Sequence, residues 1–259
     1  MVAKRQIRDA LHSLRDDYGV VAVKAEFEAE GARKDELIML GEFINEADLG
    51  FIIKIGGCEA VHDLDQCKLL GATGVMAPMI ETPFALSKFK GAVQKVYKDK
   101  ASGIERIINA ETKTCLANFD SILSEGAGFL TGVTVGRSDL SASMGVDRND
   151  MEGEAVTAAT ETLLKKAKAA GLTANFGGNI GIESIPTVIK LNHVIDRFET
   201  RKVVLTPSTD PSFLKKAIGE ALHFELLYLQ FKSEYYMSMA KEDTLRIERM
   251  KKQLAKVTG

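Results

Sequence analysis

Residues Glu105–Gly145 read ERIINAETKTCLANFDSILSEGAGFLTGVTVGRSDLSASMG. An apolar run, Ile107-Ile108, stops at Asn109-Ala110-Glu111-Thr112. Leu116, Phe119, Ile122 and Leu123 then recur at helical spacing, and a second apolar run, Phe129 to Val135, stops at Gly136-Arg137-Ser138-Asp139. The pattern is strand, helix, strand, with an acid at each strand end. A crossover of this length suits parallel strands, which are covered on both faces. Their carboxyl ends emerge on one side of a sheet or barrel, where α/β sites are built. Glu111 and Asp139 are thereby expected to lie near each other. Two hard carboxylates with open positions suit Mg²⁺ or Mn²⁺ better than Zn²⁺.

Working outward, apolar runs near residues 20–28, 51–56, 74–80, 106–111, 129–135, 173–178 and 198–205 give seven strands at βα spacing. This predicts a single-domain α/β fold, a TIM-type (β/α)8 barrel over residues 1–210. An eighth strand is not visible, and an amphipathic helix (residues 4–16) stands before the first run, so the barrel is expected to be irregular there. Glu26, Glu28 and Glu30 recur at a period of two beyond the first run and would line one face of an extended segment. Glu28 is a candidate base among them. Lys54 lies inside an apolar run and needs a partner or a route to water. Gly56-Gly57 after it permits close backbone approach to an anion, or makes a simple turn.

Composition frames these readings. The 259 residues are 45% hydrophobic and 27% charged, with net charge −2. That balance gives no electrostatic case for nucleic acid or an anionic membrane. No apolar run approaches a spanning helix. Charge rather than an apolar secretion segment follows the first residues, and Cys58, Cys67 and Cys115 show no paired spacing. Reduced thiols in a cytoplasmic protein are the expectation.

Several ordered blocks resemble the HpcH/HpaI aldolase and citrate lyase β-subunit superfamily. They are Lys54-Ile55-Gly56-Gly57, Leu70-Gly71-Ala72-Thr73-Gly74-Val75-Met76-Ala77-Pro78, Glu111-Thr112, Asn118-Phe119-Asp120-Ser121-Ile122, and Gly136-Arg137-Ser138-Asp139-Leu140-Ser141 through Gly145. The resemblance implies Mg²⁺-dependent making or breaking of a carbon–carbon bond in a 2-oxo acid, through an enolate. It places Glu111 and Asp139 on the metal, and Lys54 where the family has an arginine that clamps the ligand's oxygen. Gly56, Gly136, Arg137 and Ser138 would touch the substrate, with Lys54, Arg137 and Glu28 as catalytic candidates. The family's acid–His pair early in the barrel has no His here, and Arg137 replaces its usual proline. Alternatives are a citrate-lyase-like acyl-CoA lyase, a phosphoenolpyruvate-utilising enzyme, and a non-catalytic metabolite-binding barrel.

Residues 211–259 read as a helical extension. Phe213, Ala217, Ala221, Phe224, Tyr228 and Phe231 form one apolar row, and Leu214, Ile218, Leu222, Leu226 and Leu229 another. That face is too wide for one surface. Ile247, Met250, Leu254 and Val257 then make a narrow stripe like a coiled-coil seam. A homo-oligomer packed through these helices is expected.

Overall fold

A computed structural model describes residues 4–258, with side chains to residue 253. Leu254 and Val257 of the expected seam lie outside the described side chains. The eight strands are β1 (Val20–Glu26), β2 (Gly50–Lys54), β3 (Gly74–Ala77), β4 (Glu105–Ala110), β5 (Gly132–Gly136), β6 (Thr173–Gly177), β7 (Arg197–Glu199) and β8 (Val203–Leu205). They close a barrel in chain order. Strands β1 to β7 are parallel. Strand β8 runs antiparallel to both β7 and β1.

The eighth strand is therefore not upstream of β1. It is the second half of the run read above as one strand, 198–205, which folds back on itself. Thr200 makes the reversal: its N–H donates to Val203 O at 3.0 Å, and its Oγ1 accepts from Val203 N–H at 3.2 Å. The Lys24 N–H donates to Lys202 O, which stitches the returning strand to β1.

The helices are α1 (Lys4–Tyr18), α2 (Lys34–Glu46), α3 (Val61–Leu69), α4 (Pro83–Tyr97), α5 (Lys113–Gly126), α6 (Arg137–Met144), α7 (Glu154–Ala169), α8 (Ile185–Leu191) and α9 (Pro211–Thr258). Pro186 fits α8 because it sits in the first turn, where its missing N–H has no intrahelical partner to lose. None of the described helices is long and apolar enough to cross a membrane.

Apolar residues from helices and outward strand faces form one continuous core that includes Leu214, Ala217, Ile218, Ala221, Phe224 and Tyr228 of α9. Phe224 is thus covered by its own barrel. A small second cluster, Ala22, Ile52, Met76, Ile107 and Val204, fills the barrel axis. The amino-terminal end of the barrel is tied by Arg197, which donates to both oxygens of Glu105.

Because β8 runs backwards, α9 starts at that amino-terminal end. Its Phe213 meets Tyr18, just before β1. Farther along, Tyr228 OH donates to Glu36 O and Tyr236 OH donates to Glu36 Oε1 at 2.5 Å, at the start of α2. The helix therefore climbs beside the strands toward their carboxyl ends. From Met237 to Gln253 every described residue is exposed.

Candidate active site

Inward positions change character along the axis. Above the apolar plug stand Lys24, Lys54, Asn109, Thr134, Asn175 and Glu199, all buried. All of these but Asn175 line the floor of a cavity of about 440 Å³ at the carboxyl ends of the strands. Glu26, Glu28, Glu111, Gly136, Ser138, Asp139, Arg148, Gly177, Gly178, Arg201, Leu222 and Glu225 are among its walls.

Glu111 follows β4 directly, and the next residue, Thr112, caps α5 by accepting from Cys115 N–H at 3.1 Å. That cap turns the chain sharply and leaves Glu111 over the axis, 2% exposed. Its Oε1 accepts from Met79 N–H at 2.8 Å and its Oε2 from Asn109 Nδ2 at 2.9 Å. The Lys54 ammonium lies 3.7 Å from Glu111 and 2.9 Å from Glu28. Burial holds the Glu111 carboxyl above its ordinary value against the pull of Lys54, with nearby Asp139 adding to the rise. Burial would push the Lys54 ammonium down, but the carboxylates of Glu111, Glu28 and Glu26 outweigh it and raise it. Lys54 is therefore a firmly protonated counterion.

The three alternating acids separate onto three cations. Glu26 faces Arg201 at 4.0 Å, Glu28 takes Lys54, and Glu30 takes Lys202 at 2.6 Å. Asp139 stands in the first turn of α6, exposed at the mouth. Beside it, Gly178 adopts φ +95°, and a Cβ there would lie 2.7 Å from Ser138 N and 2.9 Å from Arg137 N. Only a glycine lets the chain pass so close to these amides.

Arg137 does not face the cavity. It is 0% exposed, and its guanidinium donates to Gly177 O, Gly178 O and Glu152, the last at 2.8 Å. It lies over the Phe176 ring. In this arrangement it braces the glycine turn after β6 rather than meeting a ligand. Gly56 is not a lining residue; its N–H donates to Asp63 Oδ2 at 2.7 Å. Lys54, Glu28, Glu111, Asp139, Gly136 and Ser138 do come together around the cavity.

Lys24 and Glu199, ion-paired on the floor, escaped the sequence reading, as did Asn175. The signal for Lys24 was present: it continues the period of two that runs through Ala22 and Glu26. For Glu199 it was hidden, because the turn that follows carries no Gly, Pro, Asn or Asp.

The donor chemistry of the cavity suits a hard divalent cation. Six carboxylates line the cavity against four basic side chains. Each Glu111 oxygen keeps a lone pair beyond its one strong hydrogen bond. Among the described residues no group of three or more His, Cys, Asp or Glu is placed to hold a metal by itself. Glu111 and Asp139 would leave the remaining positions to water and substrate, as suits Mg²⁺. Asn109 Oδ1, Thr134 Oγ1, Asn175 Oδ1 and Glu199 Oε2 are buried without a partner in the protein. Such atoms are costly unless water or a ligand meets them.

A family model described as HpcH/HpaI aldolase/citrate lyase matches residues 42–177. Among solved structures, an HpcH/HpaI aldolase from Desulfitobacterium hafniense DCB-2 aligns with TM-score 0.61 at 12% identity, covering 86% of this chain and 89% of that one. An HpcH/HpaI aldolase/citrate lyase family protein from Burkholderia cenocepacia J2315 aligns with TM-score 0.58 at 17% identity, over 83% and 98%. The citrate synthase SbnG aligns with TM-score 0.58 at 14% identity, over 85% and 88%. No curated protein sequence matches the chain.

Proposed function

The chain belongs to the HpcH/HpaI aldolase/citrate lyase family, and on that premise we propose that it is a metal-dependent carbon–carbon lyase of the aldolase type acting on a 2-oxo acid. The observation that carries this reading is the meeting of Glu111, Asp139 and Lys54 in one cavity whose floor keeps unpaired polar atoms. Glu111 and Asp139 would hold Mg²⁺ or Mn²⁺. The bound cation would supply positive charge to the enolate oxygen that forms when the carbon–carbon bond breaks. Glu28 keeps the Lys54 ammonium aimed at Glu111. The first-turn amides of α6 at Arg137 and Ser138, beside Gly136, offer donors for the substrate carboxylate. Arg137 supports that corner from behind.

The buried, fully engaged Arg137 speaks against the phosphoenolpyruvate alternative, which needs it free for a phosphate. Calorimetry tests the preferred reading. We expect Mg²⁺ or Mn²⁺ to bind, and oxalate, a stable likeness of the pyruvate enolate, to bind only with the metal present. Oxalate binding that ignores the metal would refute it.

Assembly is part of the same proposal. We assign residues 1–210 to the barrel and 211–259 to an extension whose exposed face serves contact with a second copy, while its inner face covers the barrel. Leu222, Leu226 and Leu229 stay exposed on α9, and so do Met237, Ile247 and Met250 beyond the barrel. Burying such side chains is worth about 1.5–3 kcal/mol each. Full-length protein should sediment as an oligomer, and a chain cut after Tyr236 should be smaller in assembly while keeping its core. A monomeric full-length protein at micromolar concentration would end this part of the proposal.

A further inference from the structure

Gly136 and Gly177 are register partners on adjacent strands β5 and β6. Each is overhung by a different carboxylate. A Cβ at Gly136 would lie 2.7 Å from Glu111 Oε2, and one at Gly177 would lie 2.7 Å from Glu199 Cγ and 3.2 Å from its Oε1. Adjacent strands are about 4.8 Å apart. The glycine pair is thus a bare seat with one carboxylate leaning in from β4 and the other from β7. Glu111 has both oxygens engaged. Glu199 is held by Lys24 through Oε1, while Oε2 is buried and without a partner.

The geometry points to Glu199 as the group that takes and returns the substrate's proton, with Lys24 as its positioning residue. This rests on the 2-oxo acid reading above. A buried carboxylate of the cavity floor, fixed by one oxygen and without a partner at the other, keeps a lone pair for proton transfer. Of the first loop's acids, Glu30 pairs with Lys202 and does not line the cavity, and the Glu28 side chain, paired with Lys54, is 35% exposed. For pyruvate, Glu199 Oε2 accepts a proton from C3. The C3–H electron pair becomes the C2–C3 double bond, and the carbonyl pair moves onto oxygen as the enolate. Return of the proton to C3 restores the ketone. In D₂O the carboxyl proton is replaced by a deuteron before return, so the methyl group gains deuterium with no second substrate.

The test follows pyruvate methyl exchange in D₂O with Mg²⁺ by NMR, alongside oxalate affinity by calorimetry. We expect Glu199→Gln to slow exchange by about 100-fold or more while oxalate affinity holds. Gly177→Ala keeps both charges but displaces the Glu199 side chain, and should give the same split. Glu199→Asp should recover part of the rate. Wild-type exchange rates in Glu199→Gln overturn the assignment, as does a parallel loss of exchange and oxalate binding, which marks a structural role. Wild-type protein that binds oxalate with Mg²⁺ yet does not exchange removes this proton transfer. Wild-type protein that binds no oxalate fails at the functional reading itself.

Discussion

The chain contains the same turn twice. Glu81-Thr82 follows β3 and Glu111-Thr112 follows β4, and both threonines cap the next helix with the same geometry, accepting from Ala85 N–H and Cys115 N–H at 3.1 Å. The glutamates nevertheless go to different places. Glu111 lies over the barrel axis, whereas Glu81 accepts a 2.6 Å hydrogen bond from Thr112 Oγ1 and is absent from the cavity wall. The difference lies in where each strand stops. Strand β4 ends at Ala110, directly before its glutamate, but β3 ends at Ala77, and Pro78-Met79-Ile80 intervene. Met79 sits at φ +54° there, and its N–H is the one that holds Glu111. The displaced copy of the turn has become the support of the other. A short offset at a strand end, not the dipeptide, decides which carboxylate reaches the site.

Loss of the Glu111 carboxylate should have the largest effect. On the proposed metal site, Glu111→Gln would remove one of two charged ligands, so Mg²⁺ affinity should fall by more than the roughly 10–100-fold typical of losing an outer partner. Retained affinity by calorimetry would show that the two turns do not differ in this way.

The next largest effect falls on a pair that holds the cavity wall. Arg137 is buried beside Glu152, and breaking such a pair costs about 3 kcal/mol or more. Burial would raise the Glu152 carboxyl, but Arg137, Thr187 and Ser184 outweigh it and hold it below its ordinary 4.5. A depressed carboxyl stabilises the fold fully above pH 4.5, and that stability is lost as pH falls through the folded value. Urea unfolding should find Glu152→Gln less stable at pH 7, with the gap closing in acid. A gap that persists unchanged to pH 3 would contradict it.

Glu81→Gln should matter least. Its amide oxygen can still accept from Thr112, so the loss should be about 1 kcal/mol or less, with Mg²⁺ affinity close to wild type. A collapse of metal binding in this variant would mean that the two turns share the task equally.

Much of this was legible in the chain. Apolar runs at βα spacing mark the parallel strands, because parallel strands are apolar on both faces. Glu111 and Asp139 could be paired from the strand–helix–strand spacing alone. The hairpin at Thr200-Arg201-Lys202 could not, since a side-chain hydroxyl rather than a glycine makes the turn and the residues on both sides are strand formers. Arg137 was misplaced for another reason. Position in a motif says which turn carries a residue, but packing against Phe176 and Glu152 decides which way a long side chain points. Lys24 and Glu199 come from distant segments and acquire meaning only when the barrel closes.

That closure has a consequence for routing. A chain that alternates strand up and helix down returns to the base after every helix, so its last helix would end far from the mouth. One three-residue strand, β8, shifts that alternation by a half-step. From there on, up and down are exchanged, and every residue appended to α9 adds about 1.5 Å of rod on the side of the cavity mouth. The 48-residue helix, about 72 Å from end to end, acts as a mast on the doorway side. A partner docked on its exposed end would hang in front of the cavity mouth.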